Sequence, residues 1–437
     1  MDARRLAYDT LVETDRSHAH ADAVLGRALS RGSLSGPDRG LATLLVYGTL
    51  ARQLTLDHSL AGYLERPLAR LERRVLVLLR MGLFQLAYLD RVPDFAAVDT
   101  TVNLARAVAP AARGLVNGVL RRAAREGLAP PPDADLADRL SVVHSHPRWL
   151  VERLLDELGT DEAEAFMHAD NEARPTVLRA LLPRGSALDA LTERGLDVAP
   201  APLAPDAIVV SGAAAAAMGV NGVAGIAIPQ AEASQLVALY VGAGAGQSVL
   251  DTCAAPGGKS AYLAALVGPS GRVVAVDPAR AAARRIERLA RAAGAGNVEI
   301  VNRSIQDLEV GDGFDAVLVD APCSGLGTLS EHPEIRWRRQ PQDIDDLAAR
   351  QSAILAAAAP HVRPGGVLVY ATCTVLRAEN DDVVDDFLGG HPQFGEADDD
   401  ELHDSLGPVV GDDGRLRTWP HRHGTGGFFA ARLRRRA

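Results

Sequence analysis

Apolar residues in the first 125 positions recur at intervals of three and four, as in Leu41, Leu44 and Leu45 or in Val75, Leu78, Leu79, Leu83 and Leu86. That spacing puts them on one face of an α-helix, so the pattern predicts amphipathic helices from Ala3 to about Arg125 with no strand among them. Pro130-Pro131-Pro132 then stiffens a linker, and a last helix opens near His146-Pro147 with Trp149, Leu150, Leu154 and Leu155 on one face. From Thr176 to about Val210, short segments of alternating type predict a small α+β connector. After Gln230 the texture changes. Segments rich in Val, Leu and Ala (Ser248 to Asp251, Arg272 to Val276, Val298 to Val301, Ala316 to Val319, Val367 to Ala371) alternate with Arg/Ala-rich helical stretches. Buried strands alternating with helices predict a doubly wound parallel sheet. The expected domains are 1–129, all-α; 130–229, linker and α+β connector; and 230–437, α/β and Rossmann-like.

Composition narrows the class. A chain of 437 residues suits two or three domains. Three cysteines, Cys253, Cys323 and Cys373, are too few for a disulfide framework and show no CxxC spacing, so a reducing, cytoplasmic setting and no metal are expected. Met1-Asp2-Ala3-Arg4-Arg5 leads into no apolar stretch and reads as neither a signal nor a transit peptide. The uncharged run Ala207 to Pro229 is long enough to span a bilayer, yet it is mostly Ala and Gly, carries Ser211 and Asn221, and lacks aromatic edges, so no membrane is expected. The net charge is −10, but residues 1–130 hold 18 Arg against 13 Asp plus Glu, and the chain ends Arg432-Leu433-Arg434-Arg435-Arg436. Acidity concentrates between Asp381 and Asp404, which reads as a solvated face and loop. Of the 46 basic residues only Lys259 is a lysine, which raises the question of whether that position requires an ammonium.

In a parallel α/β sheet, ligands sit at the carboxyl ends of the strands, and the lysine and all three cysteines fall there. The first strand runs into Asp251-Thr252-Cys253-Ala254-Ala255-Pro256-Gly257-Gly258-Lys259-Ser260. Two glycines let backbone approach a ligand, and a helix starting near Lys259 points amide donors at a carboxylate or phosphate. The motif is neither GxGxxG nor GxxxxGK[ST]. The second strand ends at Asp277, where an acid fits the ribose hydroxyls of a bound nucleoside, the blander reading being a helix cap ahead of Pro278. The fourth strand ends in Asp320-Ala321-Pro322-Cys323-Ser324-Gly325 and the fifth in Thr372-Cys373-Thr374. Any one free cysteine is usually a small buried hydrophobe. Two of them following strand ends point instead to a thiolate pair at a cleft and covalent chemistry on an electron-poor ring.

Together these motifs resemble the RNA cytosine-5 methyltransferases of the Sun/NSUN family, most of all the RsmB type that modifies 16S ribosomal RNA. Arg39, Tyr47-Gly48-Thr49-Leu50, Leu83-Phe84-Gln85-Leu86 and Leu115-Val116-Asn117-Gly118-Val119-Leu120-Arg121 resemble its NusB-like N-terminal domain, and Ser145-His146-Pro147 with Trp149-Leu150 also fits. The resemblance implies that Cys373 adds to cytosine C6, that C5 then takes the methyl group of S-adenosylmethionine, and that Cys323 assists release. Asp320 would hydrogen-bond the cytosine near N3. Cys253, Ala254, Ala255, Pro256, Gly257, Gly258 and Lys259 would wrap the methionine and ribose, Asp277 would hold the ribose hydroxyls, and Asp320 would also border the cofactor. Where the family has an Asp for the adenine, this chain has Ser304, with an acid next at Asp307. Arg377 stands where proline is common, Glu379-Asn380 matches, and Gly426-Gly427-Phe428-Phe429 has glycine where Asp is frequent.

Target RNA must be held by phosphate contacts and stacking, since the base has to leave its stack. Candidate contacts are the arginines of the helical domain and Arg336-Trp337-Arg338-Arg339, whose other reading is an ordinary solvated helix start. His332, in the preceding loop, reads as a surface histidine. The expected product is a cytoplasmic monomer acting on 16S ribosomal RNA. Alternatives are methylation of tRNA or another rRNA, or a catalytically inactive NusB-like RNA-binding protein, which would need neither Cys323 nor Cys373.

Overall fold

The structure is a computed structural model and describes residues 2–32, 34–211, 223–309, 311–397 and 402–437. It divides into two compact units: Met1–Ala173 with Leu329–Arg338, and Arg174–Thr328 with Arg339–Ala437.

The first unit is helical, as the three-and-four periodicity predicts. Leu45, Leu78, Leu79, Leu83, Val116 and Leu120 lie in its core, whereas Leu44 is 44% exposed. The unit runs past the expected boundary at 129, because Leu136–His144, Arg148–Leu158 and Thr160–Ala169 are helices of the same body. Hydrogen bonds explain why. Thr55 Oγ1 donates to Val142 O (2.6 Å), Leu54 N donates to Ser145 Oγ (2.9 Å), and His58 Nε2 contacts Pro130 O at 2.8 Å. The proline run is therefore a turn within the unit rather than a spacer between units.

Leu329–Arg338 belongs to this unit by its bonding. Arg336 is fully buried and donates to Ser145 O and Asn171 Oδ1, both at 3.0 Å. Trp337 Nε1 donates to Leu50 O (2.7 Å), and Arg338 donates to Thr14 O (2.9 Å), His18 O (2.8 Å) and Ala19 O (2.9 Å). Glu334, also buried, accepts from Ala21 N (3.2 Å) and faces His20 Nδ1 at 3.0 Å; His332 lies beside it. This corrects both readings of the Arg-Trp-Arg run. Ala3–Ser17, Gly36–Ala51 and Leu136–His144 end at or beside these acceptors, and the last carbonyls of a helix lack intrahelical partners and carry partial negative charge. The donors of the run satisfy them and are not available to RNA.

The second unit contains two sheets. In the smaller, β1 (Thr176–Ala180), β2 (Asp197–Pro200), β3 (Ala207–Ser211) and β4 (Ala227–Pro229) pair antiparallel in the order β2-β3-β1-β4. The middle of the uncharged run 207–229 lies outside the described residues. No helix among those described is long and apolar enough to cross a membrane. Arg179, buried in β1, stacks over the Tyr262 ring (4.6 Å), and Tyr262 in turn donates to Asp206 (2.7 Å).

In the larger sheet, β5 (Ser248–Asp251), β6 (Arg272–Val276), β7 (Val298–Val301), β8 (Phe314–Asp320) and β9 (Val362–Thr372) are parallel. These are the five expected strands. Antiparallel β10 (Phe394–Glu396), β11 (Leu416–Thr418) and β12 (Phe428–Arg435) extend it, in the order β10-β12-β9-β8-β5-β6-β7 with β11 on β12. Arg432, Arg434 and Arg435 of the basic C-terminal run lie in β12, which pairs with β9. Nor is the acidic stretch from Asp381 merely solvated. Arg415 binds Asp381 (2.7 Å), Asp385 (2.6 Å) and Glu396 (2.9 Å).

Arg336→Met retains length but leaves buried carbonyls unpaired, which should cost about 3 kcal/mol. Urea unfolding followed by a probe in the helical unit should show that loss.

Candidate active site

β8 and β9 are neighbours with Asp320 opposite Ala371, so the turns that follow them leave the sheet side by side. Ala321 N donates to Ala371 O (2.8 Å), and Gly327 N donates to Cys373 O (3.0 Å). The sulfurs of Cys323 and Cys373 lie 3.0 Å apart, and Cys373 N approaches Cys323 Sγ at 3.3 Å. Sequence patterning made these two strands look adjacent; the register makes their cysteines touch. The contact with Cys373 and burial push the Cys323 thiol well above its ordinary pKa, so Cys323 is held as the protonated partner.

Lys259 Nζ pairs with Asp320 Oδ2 at 2.6 Å, and the side chain is 11% exposed beneath the Phe428 ring (5.3 Å). Burial opposes the ammonium, but Asp320 more than offsets it, aided by the Cys373 sulfur, and the lysine titrates above its ordinary range. A compact cation in an enclosed space answers the compositional question about this position, because a guanidinium fork is larger and planar.

The loop after β5 has the shape its glycines foreshadow. Gly257 has φ +108°, and a Cβ there would lie 2.9 Å from Ile286 Cα. The helix Gly258–Val267 starts next, and Ala254 N donates to Val276 O (3.0 Å). Cys253 is pushed up to about 12 by burial, which suits a structural thiol rather than a nucleophile. Asp251, at the strand end, is 1% exposed, accepts from Ser260 Oγ (2.6 Å), and has its second oxygen buried without a partner. Burial raises it to about 7. Asp277 follows β6 directly and accepts from Ala279 N (2.9 Å), so the cap reading describes one of its oxygens. Ser304 and Asp307 are not alternatives in space: the serine hydroxyl donates to the Asp307 carboxylate at 2.6 Å across a 3₁₀ turn.

Several residues around the thiols escaped sequence reasoning. Gly327 and Gly427 cross so closely that a Cβ on the first would sit 1.8 Å from the carbonyl oxygen of the second. Gly427 lies in the segment that departs from the family pattern, and the close crossing explains its glycine. Arg339 donates to Ser324 O (2.9 Å) and Cys323 O (3.2 Å), and Gln351 donates to Pro322 O (3.0 Å). A strand-end cysteine gives no local signal for partners that lie 15 or more positions away.

The family model described as 16S rRNA methyltransferase RsmB/F matches residues 239–434, a NusB family model matches 1–125, and a ferredoxin-like domain of the RsmF/B-like methyltransferases matches 146–217. A probable ribosomal RNA small subunit methyltransferase B of Bacillus subtilis is 36% identical over 99% of this chain and 98% of its own length. The ribosomal RNA small subunit methyltransferase B of Thermus thermophilus is 37% identical over 99% and 97%. The chain belongs to the RsmB/F family of 16S rRNA methyltransferases. It is accordingly an S-adenosylmethionine-dependent rRNA methyltransferase. In fold, this RsmB/F protein is similar to the solved structure of PH0851, with a TM-score of 0.83 at 24% identity over 98% of both chains. NSun6 from Pyrococcus horikoshii gives 0.57 at 23% over 67% of this chain and 99% of its own.

The loop residues fit the cofactor of this methyltransferase. Asp251 offers a buried oxygen with no partner, the Gly257-Gly258 turn has no side chain to obstruct a ligand, and Asp277 follows the next strand. Gln230, buried against Gly258 with its amide unpaired, adds a polar group that sequence reasoning passed over.

Asp251 makes stability depend on pH. Its ordinary value is 3.8 and its folded value about 7. Its contribution is therefore complete below about pH 4 and declines as pH rises toward 7, by up to about 4 kcal/mol. In urea unfolding, Asp251→Asn should flatten this decline between pH 4.5 and 7.5.

Proposed function

We propose that this enzyme methylates C5 of a cytidine in 16S ribosomal RNA through a covalent bond between Cys373 and C6 of the base. The observation that carries the reading is the pair of sulfurs 3.0 Å apart beside the Lys259–Asp320 ion pair. Cytosine C5 is a weak nucleophile until an addition at C6 pushes electrons onto it. Cys373 attacks as the thiolate, which is the nucleophilic form of a cysteine. The new Sγ–C6 bond sends the C5–C6 π electrons to C5. N3 takes a proton from solvent as the bond forms, and Asp320, paired with Lys259, accepts a hydrogen bond from that N–H and stabilises the charge this step develops. S-adenosylmethionine, when bound, supplies an electrophilic methyl group. Solvent water takes the C5 proton, the C5–C6 double bond re-forms as the Sγ–C6 bond breaks and Cys373 leaves as the thiolate, N3 returns its proton to solvent, and Cys323, held protonated, serves this release by donating a hydrogen bond to the departing sulfur. Cys253 to Lys259, Asp277 and the Ser304–Asp307 pair would hold the cofactor, with Ser304 and Asp307 together at the adenine.

The helical unit supplies a surface for RNA. Phe95, 76% exposed, lines a groove with Arg113, Arg121 and Arg125, which combines a stacking face with phosphate-binding cations. The protein acts in the cytoplasm, where ribosomal RNA is matured.

Cys373→Ala should abolish methyl transfer, and Cys323→Ala should accumulate an RNA–protein adduct on a denaturing gel that disappears when Cys373 is also replaced. Full activity in Cys373→Ala would sink the assignment of the nucleophile. Mapping 5-methylcytosine in 16S RNA with and without the gene tests the substrate directly. The double substitution Arg113→Ala, Arg121→Ala should weaken RNA binding several-fold and reduce its salt dependence, measured by filter binding at several ionic strengths.

A further inference from the structure

Glu379 is fully buried, yet no cation pairs with it among the hydrogen bonds and ion pairs of the described residues. Its carboxylate is spent on one turn. Oε1 accepts from Ser324 N (2.8 Å) and Gln351 Nε2 (2.9 Å), and Oε2 accepts from Ser324 Oγ (2.5 Å). Ser324 Oγ also meets Thr374 Oγ1 at 2.8 Å, which ties the Cys323 turn to the Cys373 turn. The next residue, Asn380, holds the other turn: its Oδ1 accepts from Thr372 Oγ1 (2.5 Å) and its Nδ2 donates to Thr374 O (3.1 Å). Two consecutive side chains thus grip the two cysteine-bearing turns, one each. Tyr370 fixes their backbone by donating to Glu379 O at 2.6 Å.

Burying a carboxylate without a counter-charge is expensive, and hydrogen bonds to it must offset that cost. Hydrophobic residues would pack this space more cheaply if packing were all that was required. We propose that Glu379 is a positioning residue: its hydrogen bonds to Ser324 hold Cys323 against Cys373, and without them the two sulfurs separate. The proposal rests on the reading above only for its consequence, namely that a displaced Cys323 cannot assist release. The distance between the thiols can be tested without RNA.

Glutamine can replace the grip. Its carbonyl oxygen takes the place of Oε1, and its amide donates to Ser324 Oγ while the serine hydroxyl turns to Thr374. Alanine cannot, and Ser324→Ala removes the link between the turns with less disturbance to the core. The purified full-length protein and its Glu379→Gln, Glu379→Ala and Ser324→Ala variants would be treated with diamide. This oxidant takes two hydrogens from the thiol pair to make the Cys323–Cys373 disulfide and is itself reduced to the hydrazine. Peptide mass mapping gives the rate of closure, and melting curves confirm folding. Closure should slow at least tenfold in Glu379→Ala, measurably in Ser324→Ala, and less than threefold in Glu379→Gln.

Closure at the wild-type rate in both folded Glu379→Ala and Ser324→Ala would overturn the proposal. So would Glu379→Gln failing as badly as alanine, because the carboxylate would then act through its charge. With RNA and cofactor present, the slowed variants should also accumulate the adduct expected of Cys323→Ala, with unchanged KM for S-adenosylmethionine. Slowed closure with no adduct in any variant, Cys323→Ala included, supports the positioning role while overturning the release role of Cys323.

Discussion

The parallel pairing of β8 with β9 is the constraint on which the rest of the catalytic unit depends. Parallel strands end on the same edge of a sheet, and the register that sets Asp320 beside Ala371 brings the two turns out at the same level. From that follow the contact between the sulfurs, the position of Lys259 against Asp320, and the room for only glycine where residues 327 and 427 cross. Slipping the register by one residue would send one cysteine to the other face of the sheet and dissolve the site.

Charge is handled differently in each part of the molecule. In the helical unit, buried Arg336 and partly buried Arg338 have helix-end carbonyls as partners, so the dipoles of the helices hold them in place. At the thiols, Lys259 and Asp320 neutralise each other in a space that suits an ammonium. Asp251 has neither solution and yields by holding its proton more tightly. A buried group with an unpaired oxygen at the end of β5 and a buried carboxylate spent on one turn are both uneconomic for stability alone. Such sites are where function is expected to reside.

Much of this was legible one residue at a time. Helical periodicity marked helices through the first 125 residues, and runs of Val, Leu and Ala located five strands, because those signals are local and repeat along the chain. What misled were residues whose local chemistry suits several tasks. Arg336-Trp337-Arg338 has the composition of an RNA contact, yet it caps helices. The stretch from Asp381 reads as solvated because Arg415, which gathers its carboxylates, lies about thirty residues further on.

The sequence by itself determined the class of elements, the family, and which residue types stand at the strand ends, since each depends on patterns short enough to read within a motif. Only the tertiary structure decided which of those residues meet. It paired Cys323 with Cys373 across 50 positions, joined Ser304 to Asp307, drew Leu329–Arg338 into the helical unit, and set Glu379 under the Cys323 turn. The physical reason is that a side chain's task is set by the partner that satisfies its charge or hydrogen bonds, and in a packed interior that partner is chosen by register and burial rather than by distance along the chain.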